Sequence, residues 1–366
     1  MSCELATLRE VLSAAGHAPE TLGSPGGGAV LVLPYGGRIL GLFDDEHDAN
    51  FLWTSPLLQT IDGARDLFRS VGWHNTGGDR TWLAPEIDFF FPSFPDASVY
   101  HQQRALDPGA YRVTHRGAAI ELAAEMTLRV SRGGELRLRV TKRVTLAPNP
   151  LAAHPQTPAA LRTAFAGYAL RTELEILGGS DPLPQVALWS LLQLPPEGEM
   201  VVPTRKQSEP IHFMGEISPK DLRTDDRRLS YRMGAPGEHK IGLRPAELVG
   251  RAGYCHVHEG LHALVVREFA VDADGSYIDA PVTRPEATGA AFQACSINSC
   301  ALGQFSELEY HVPAIGGPRG PRRCVDNSRV WAYHGDREAI AWAQQALRIA
   351  DPLPKAAAPR RTGSAR

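Results

Sequence analysis

The sequence predicts a mainly β fold, built from antiparallel strands with a few short peripheral helices. Apolar and polar residues alternate with a period of two along several stretches, which is typical of strands with one buried face and one wet face. The 366 residues include 35 Gly and 29 Pro, a share that favours a fold with many turns. Strands outnumber helices and do not alternate with them, so a βαβ architecture is not expected.

The clearest strand signal is a hairpin around Arg132-Gly133-Gly134. Apolar residues alternate with polar ones over 126–130 before this turn and over 136–141 after it, and the same pattern predicts a strand over 170–176. Asp274-Gly275 is a hairpin-type turn signal that follows a further apolar stretch. Other strands are predicted at 29–33, 38–43, 110–116, 185–194, 253–259, 262–271, 291–297 and 303–312.

Three segments carry helical spacing instead. Apolar residues recur at this spacing over 4–15 and 61–71, and each stretch is followed by a glycine stop. The third helix is the clearest, because Asp336 is an N-cap residue type and Asp351-Pro352 provides a stop.

The chain has no internal repeat of the kind found in solenoids and propellers, and 148–158 is better interpreted as a loop than as a linker. We therefore expect a helix and lead-in over 1–28, a single β domain over 29–350 and a disordered tail over 351–366.

Composition excludes several classes of function. Lys and Arg number 38 against 41 Asp and Glu, a net charge of −3 that argues against a nucleic-acid binder. No apolar run approaches the about 20 residues of a membrane helix, and the N-terminus lacks the pattern of a signal peptide. Five cysteines without a framework spacing are typical of free thiols, and Cys295 and Cys300 are expected to be buried. We expect a cytoplasmic protein with no nucleic-acid or membrane partner, and the oligomeric state is left open.

Two motifs match the residue patterns of metal sites, but the structure that the sequence predicts around them does not suit a metal site. His258-Glu259-Gly260-Leu261-His262 fits H-E-x-x-H, which needs a helix to place both histidines on one face. The flanking residues predict strands, and Gly260 lies where a hairpin would turn. Asp272-Ala273-Asp274-Gly275 resembles the start of a calcium loop, but its glycine comes too early. We therefore expect no metal and no cofactor.

Three further segments, 77–86, 189–195 and 304–311, combine charged, amide and aromatic residues that suit a polar ligand. In a strand, Glu307, Glu309 and His311 of the last segment would share one face. From the residues alone, that row is either a solvated outer face or a polar cleft, and the solvated face is the simpler interpretation. The chemically interesting members of the three segments are Arg80, Trp82, Glu86, Trp189, Gln193, Glu307, Glu309 and His311.

In this order, the segments resemble the galactose mutarotase-like superfamily, and the nearest match is one of its uncharacterised bacterial branches. The resemblance implies an antiparallel β supersandwich with a concave, sugar-binding face. It also implies interconversion of sugar anomers through ring opening, with a carboxylate as base and a histidine as acid. The residues that carry it are 37–42, 52–53, 77–86, 188–195, 240–243, 277–279 and 305–313.

The resemblance places the family's catalytic glutamate at Glu309, in a Leu-Glu pair shortly before Pro313. Glu307, on the same face, is either a second ligand group or a neighbour that raises the pKa of Glu309. The family's histidine position falls on Trp189, whose indole cannot donate a proton to a ring oxygen. The remaining candidates for the acid are His101, His311 and Lys240.

Three functions stay open, each with a small-molecule sugar or oligosaccharide as the partner. The first is an epimerase-like enzyme with Glu309 as base, Arg80 as a clamp and an indole as stacking platform. The second is a non-catalytic sugar-binding protein or sensor, favoured by the loss of the histidine. The third is a lyase or hydrolase that acts on an acidic sugar. The groups expected to contact the sugar are Arg80, Trp82, Glu86, Trp189, Gln193, Lys240, Asn298 and His311.

The structural alternative for Arg80 is an ion pair with Glu86. In the third function, Arg80 and Lys240 would neutralise the carboxylate of the acidic sugar.

Overall fold

The computed structural model describes residues 4–24, 28–45, 49–258, 260–299 and 303–350. Within these residues, twenty strands form two ten-stranded sheets in which the paired neighbours run antiparallel. The mainly β class predicted from the sequence is therefore confirmed.

The first sheet carries the cavity described below. Its strands, in order across the sheet, are β1 (Glu20–Ser24), β2 (Gly28–Leu33), β3 (Arg38–Phe43), β4 (Asp79–Ala84), β9 (Gln185–Leu194), β18 (Gly303–His311), β17 (Phe292–Ser299), β14 (Gly237–Leu243) and β11 (Ile211–Met214), with β19 (Ile315–Gly316) paired to β9.

The second sheet contains the longest strands. Its order is β12 (Leu222–Thr224), β13 (Arg228–Arg232), β10 (Glu199–Pro203), β15 (Arg251–His258), β16 (Leu261–Glu268), β20 (Arg323–Gly335), β8 (Phe165–Gly179), β7 (Gly134–Leu146), β6 (Ala119–Val130) and β5 (Arg112–His115).

The helices are short and lie outside the sheets. Asp336 caps the last one, because its Oδ1 accepts a hydrogen bond from Ala339 N at 2.7 Å. The three predicted helices are present, although the stop predicted at Asp351-Pro352 lies outside the described residues. The helices are α1 (Leu5–Ala14), α2 (Ile61–Arg69), α3 (Glu86–Phe89), α4 (Ala160–Thr163) and α5 (Arg337–Ala346), with 3₁₀ turns at Pro56–Gln59 and Pro245–Glu247.

The two sheets pack face to face through apolar side chains. One buried cluster joins Tyr168 of β8 and Val330 of β20 to Leu192 of β9 and Leu308 of β18. Along β6 and β7, alternate apolar residues are buried and their neighbours more exposed, as the period-two pattern predicted. The inner faces of both sheets thus form the main core. On the outer faces, α1 and α2 cover part of the first sheet and α5 covers part of the second.

The structure also corrects several predictions. Asp272 and Gly275 form a turn, in which Gly275 N donates to Asp272 O at 3.2 Å, but this turn lies in irregular chain and joins no hairpin. The region 199–243 and Arg323–Gly335 contain strands that the sequence patterns did not indicate. The lead-in expected over 1–28 contains β1, which pairs with β2.

The zinc-like motif spans a hairpin, as its context predicted. His258 ends β15 and His262 lies in β16, so a helix does not bring the two together.

Glu259, Cys3, Cys300 and the tail over 351–366 lie outside the described residues. The described cysteines, Cys255, Cys295 and Cys324, are free thiols. No helix in the described part of the chain is both long and apolar enough to cross a bilayer.

Candidate functional site

A cavity of about 810 Å³ lies against the face of the first sheet that is turned away from the second sheet. Strand β4 shows this division, because Asp79 contacts Arg267 and Tyr168 of the second sheet while the next residue, Arg80, lines the cavity. Alternate residues of a strand point to opposite faces, so the cavity wall and the core share the same strands.

Strand register brings the charged residues of the cavity together. Leu191 of β9 lies opposite Arg80 on one side and Glu309 on the other. In the neighbouring row, Cys295 of β17 lies opposite Glu307 on β18 and Lys240 on β14. These two adjacent rows cross five strands. They place the carboxylates of Glu307 and Glu309 between the cations Arg80 and Lys240.

Glu309 is fully buried and held by one of its two carboxylate oxygens. Trp189 Nε1 donates to Oε2 at 2.8 Å, and Lys240 Nζ lies 3.2 Å from the same oxygen. The other oxygen, Oε1, has no hydrogen-bond partner among the described residues. Burial raises the pKa of Glu309 to about 7; the charge of Lys240 opposes this rise and Glu307 adds to it. Glu309 can therefore gain or lose a proton near neutral pH.

Lys240 is also buried, and its ammonium lies 4.5 Å from the ring centroid of Trp189. Burial acts to lower its pKa, but the carboxylates of Glu309 and Glu86 outweigh this and hold the pKa above its usual range. Lys240 is therefore a fixed positive charge at the floor of the cavity.

Arg80 forms the second buried ion pair of the cavity. Its Nη2 donates to Glu307 Oε1 at 2.8 Å, and its guanidinium carbon lies 4.1 Å from the ring centroid of Trp82. Nη1 has no hydrogen-bond partner within the described residues. The alternative pairing of Arg80 with Glu86 is not what the structure shows, because Glu307 is the partner of Arg80.

Trp82 is fixed from behind by a buried carboxylate. Its Nε1 donates to Asp107 Oδ2 at 2.8 Å, and Arg38 Nη2 donates to the same oxygen at 2.6 Å. These bonds hold the indole against the Arg80 guanidinium, so one face of the ring is already occupied.

Glu86 lies in the cavity wall at the start of α3, directly after β4. Its backbone N donates to Asp279 Oδ1 at 2.7 Å, and Gln293 Nε2 donates to the other oxygen of Asp279 at 2.7 Å. Burial raises the pKa of the Glu86 carboxyl, an effect that the charge of Lys240 opposes. Glu86 therefore keeps its proton to a higher pH than an ordinary glutamate.

A glycine pair lets the chain enter β4 at this point. Gly77 and Gly78 have φ of 93° and 77°, in the left-handed region. A Cβ atom on either would overlap a carbonyl oxygen, that of Trp53 or that of Ile39. The glycines seen in the sequence thus position Arg80 and do not contact the cavity themselves.

The structure overturns the interpretation of Glu307, Glu309 and His311 as a solvated row, since all three are buried. His311 does not line the cavity: it stacks behind Trp189, with ring centroids 5.5 Å apart. Burial lowers the pKa of His311 to about 4, and the nearby carboxylate of Asp279 opposes this. The imidazole is therefore neutral at physiological pH and out of reach of a ligand.

Two other expected contact residues also lie outside the cavity lining. Gln193 is fully buried beside Glu307, and its backbone bonds to Trp53 and Gly78. Asn298 accepts a hydrogen bond from Gln304 Nε2 at 3.0 Å and lines a separate surface depression. The expected residues that do line the cavity are Arg80, Trp82, Glu86, Trp189, Lys240, Glu307 and Glu309.

Several cavity residues carried no recognisable signal in the sequence. Trp73, Tyr100 and Asp107 come from irregular segments, and Phe213 comes from the short edge strand β11. Cys295 belongs to a predicted strand but was expected only to be a buried thiol. Strand pairing alone brings it beside the two glutamates.

One thiol and two carboxylates at the floor could in principle ligate an ion. Ligand atoms of Cys295, Glu307 and Glu309 lie within 4.8 Å of one another. Both carboxylates are already paired with a cation, Glu307 with Arg80 and Glu309 with Lys240. A metal ion would have to displace these pairs or share their oxygens with them, so the residues present do not favour one.

The fold and the site together define an antiparallel β-sandwich protein with an aromatic-walled cavity over a buried cluster of acids and bases. The chain belongs to the family of unknown function DUF6786, whose model matches residues 29–316. No curated protein matches the sequence significantly.

The solved structures to which this chain is similar include three that cover most of it. A galactose mutarotase-like protein from Lactobacillus casei is 9% identical with a TM-score of 0.46, over 87% of this chain and 99% of that one. The Slr1438 protein from Synechocystis is 11% identical with a TM-score of 0.47, over 88% and 96%. A putative aldose 1-epimerase from Klebsiella pneumoniae is 10% identical with a TM-score of 0.44, over 90% and 83%.

Proposed function

We propose that the cavity binds a sugar and that Glu309 acts on it as a general base in an epimerase-like reaction. The observation that carries this proposal is the state of Glu309. One oxygen is anchored by Trp189 and Lys240, the other has no partner in the described residues, and burial raises its pKa to about 7. A base poised near the working pH is the most effective one.

In the proposed reaction, Glu309 takes the proton from the anomeric hydroxyl of the sugar. The electrons of that O–H bond form a carbonyl group, and the bond from the anomeric carbon to the ring oxygen breaks. The ring oxygen keeps that electron pair and receives a proton from an acid. Rotation about the neighbouring C–C bond, followed by the reverse steps, gives the other anomer.

Glu86 is our proposed acid. Burial raises its pKa, which is the direction that a general acid needs. The other candidates suit this step less well. The pKa of Lys240 is held above its usual range, which makes it a poor donor, and His311 lies behind Trp189 and is neutral. His101 lines the cavity but is exposed to solvent.

The walls of the cavity suit a sugar ring. Trp73, Phe91 and Phe213 supply apolar surface on which C–H groups can pack. Arg80 Nη1 is buried at the cavity wall without a partner among the described residues, and we propose that it donates to a sugar hydroxyl. An aromatic surface beside a few charged groups is the usual arrangement for a ligand with one apolar and one polar face.

A sugar-binding protein without catalysis is the second candidate. Trp189 favours it, since an indole stands where the sequence resemblance places a histidine acid, and it donates a hydrogen bond to Glu309. This candidate predicts binding without faster exchange of anomers.

Action on an acidic sugar has the least support. Arg80 and Lys240, the cations expected to neutralise such a sugar, already pair with Glu307 and Glu309. Glu86 adds a further acidic group to the wall. A sugar carboxylate would therefore meet more acidic groups than free cations.

The test is anomer exchange, followed by polarimetry and NMR over a panel of reducing sugars, in the wild type and in Glu309→Gln. We expect the variant to lose about 10²- to 10⁴-fold of the rate and to bind the sugar by calorimetry as the wild type does. Glu135→Gln, an exposed carboxylate on the second sheet, is the matched control. Undiminished exchange in Glu309→Gln would refute the role of Glu309 as the base, and binding without exchange in the wild type would favour the second candidate.

A cytoplasmic location, expected from the free thiols, is part of the same proposal.

A further inference from the structure

The outer face of the second sheet carries a groove of about 890 Å³ that the proposed function does not use. We call it the arginine groove. The charged residues that line it are Arg143, Arg171, Arg251, Arg329, Arg348 and a single glutamate, Glu268.

Strand register builds this groove. Arg143 of β7 lies directly opposite Arg171 of β8. Two residues further along, Thr145 lies opposite Ala169, and these small side chains leave a depression beside the long arginines. Strands in a sheet are about 4.8 Å apart, so the five strands from β7 to β15 extend over about 19 Å. The groove is therefore elongated across the strands.

The far side of the groove continues the row of charges. Arg329 of β20 lies opposite Ala169 of β8 and opposite Glu268 of β16, and Glu268 lies opposite Arg251 of β15. Arg251 Nη1 also donates to Leu347 O at 2.7 Å, which ties this end of the groove to the end of α5 and to Arg348.

The carboxylates near the groove do not balance its arginines. Glu268 is shared between Arg251 and Arg329, and Glu173 is shared between Arg171 and Arg323. Arg143 pairs with Glu121 on the neighbouring strand β6. Arg348 has no ion-pair partner in the part of the chain that the structure describes.

This local excess of positive charge occurs in a chain whose net charge is −3. Like charges directly opposite each other in a sheet are destabilising on their own. Arg143 and Arg171 stand in this relation, so an anionic ligand in the groove would relieve their repulsion.

We propose that the arginine groove binds an acidic polysaccharide, an extended chain that carries carboxylate or sulfate groups. Guanidinium groups bind such oxyanions through paired hydrogen bonds, and an array that crosses five strands fits a chain better than a single ion. Single-stranded nucleic acid fits less well, because its binding relies on exposed aromatic rings that stack with bases. Phe269, the aromatic residue among the described lining residues, is only 4% exposed.

The test is calorimetric titration of the full-length protein with a heparin oligosaccharide, which carries both sulfate and carboxylate groups, at two salt concentrations. The variant is Arg171→Gln combined with Arg329→Gln. Arg137→Gln is the matched control, since Arg137 is exposed on the same face of β7 but outside the groove. Both altered arginines are exposed, so the variant is expected to keep the wild-type melting temperature.

We expect the double variant to bind heparin at least about tenfold more weakly at low salt, with a salt dependence reduced by about two charges. The control is expected to bind within about twofold of the wild type. Heparin binding that is undetectable at low salt, or equal in the double variant and the wild type, would overturn the proposal. Tighter binding of single-stranded DNA than of heparin, through the same arginines, would overturn it as well.

Discussion

Two consecutive residues of β4 serve two different polar regions. Asp79 faces the second sheet, where its Oδ2 accepts a hydrogen bond from Tyr168 at 2.6 Å and its Oδ1 accepts one from Arg267 at 3.1 Å. Arg80 faces the cavity, where it pairs with Glu307. Both oxygens of the carboxylate between the sheets are used, whereas Glu309 in the cavity leaves Oε1 without a partner in the described residues.

The two regions differ in how completely the protein satisfies the buried carboxylate. Between the sheets, Arg267 also donates to Ser328 at 3.2 Å and lies over the ring of Tyr310, and only its Nε has no partner among the described residues. In the cavity, Arg80 Nη1 and Glu309 Oε1 have no hydrogen-bond partner among the described residues. A buried polar group without a partner is costly, and a ligand with hydroxyl groups can remove that cost.

The largest expected effect is on the network between the sheets. Arg267→Met should lower the free energy of unfolding by about 3–5 kcal/mol, because it leaves the buried Asp79 carboxylate unpaired. Urea denaturation measures this effect. The double variant Arg267→Met with Asp79→Asn should recover most of the loss, because the Asp79 charge that Arg267 neutralised is removed as well. A loss below about 1 kcal/mol in the single variant would show that this network contributes little to the free energy of unfolding, which would contradict its structural role.

The corresponding change in the cavity should act on binding more than on stability. Arg80→Met is expected to weaken sugar binding by about 10- to 100-fold, since a donor to a hydroxyl is lost. It should lower stability less than Arg267→Met does, because Glu307 faces a cavity that water can enter. Calorimetry and urea denaturation of the same samples check both parts. Unchanged sugar affinity would contradict the role of Arg80.

The pH dependence of the proposed reaction tests the electrostatics of Glu309. The rate should rise with pH through about 7, because the base must be ionised. Lys240→Met should move this midpoint to higher pH and Glu307→Gln to lower pH, each by about one unit. The same raised pKa means that ionisation of Glu309 destabilises the fold as the pH rises through about 7. Midpoints that move in the same direction in both variants would contradict this account.

The smallest expected effect is that of a metal chelator. Treatment with EDTA should change the rate of anomer exchange by less than about twofold, because Arg80 and Lys240 already pair with the two carboxylates. A loss of activity that added zinc restores would show instead that Cys295 and the glutamates hold an ion.

The sequence predicted strands best where one face is buried and the other is wet. The hairpin of β6 and β7 has this pattern, so its alternation was visible. All six residues of β4 are buried, which removes the alternation. No strand was predicted there, and the segment stood out only for its charged and aromatic residues.

The candidate site could be predicted only as far as single segments allow. Glu307 and Glu309 share a face in any strand, and the structure places both in the cavity. Asn298 was expected to contact the sugar but lies outside the cavity. Cys295 and Ile297 of the same strand point into the cavity, so Asn298, at the next position, points the other way. Asp107 and Trp73 reach the cavity through long-range packing, for which one sequence contains no local signal.

Successive side chains of β4 point alternately to the second sheet and to the cavity, and this limits which mutations the protein can tolerate in evolution. A single inserted or deleted residue before Asp79 would exchange the two faces of the strand, and would turn a guanidinium toward the second sheet and a carboxylate toward the cavity. Such a change would damage the core and the site together. Individual substitutions, in contrast, can alter one face and leave the other intact. In this segment, we expect natural selection to preserve length more strictly than residue identity.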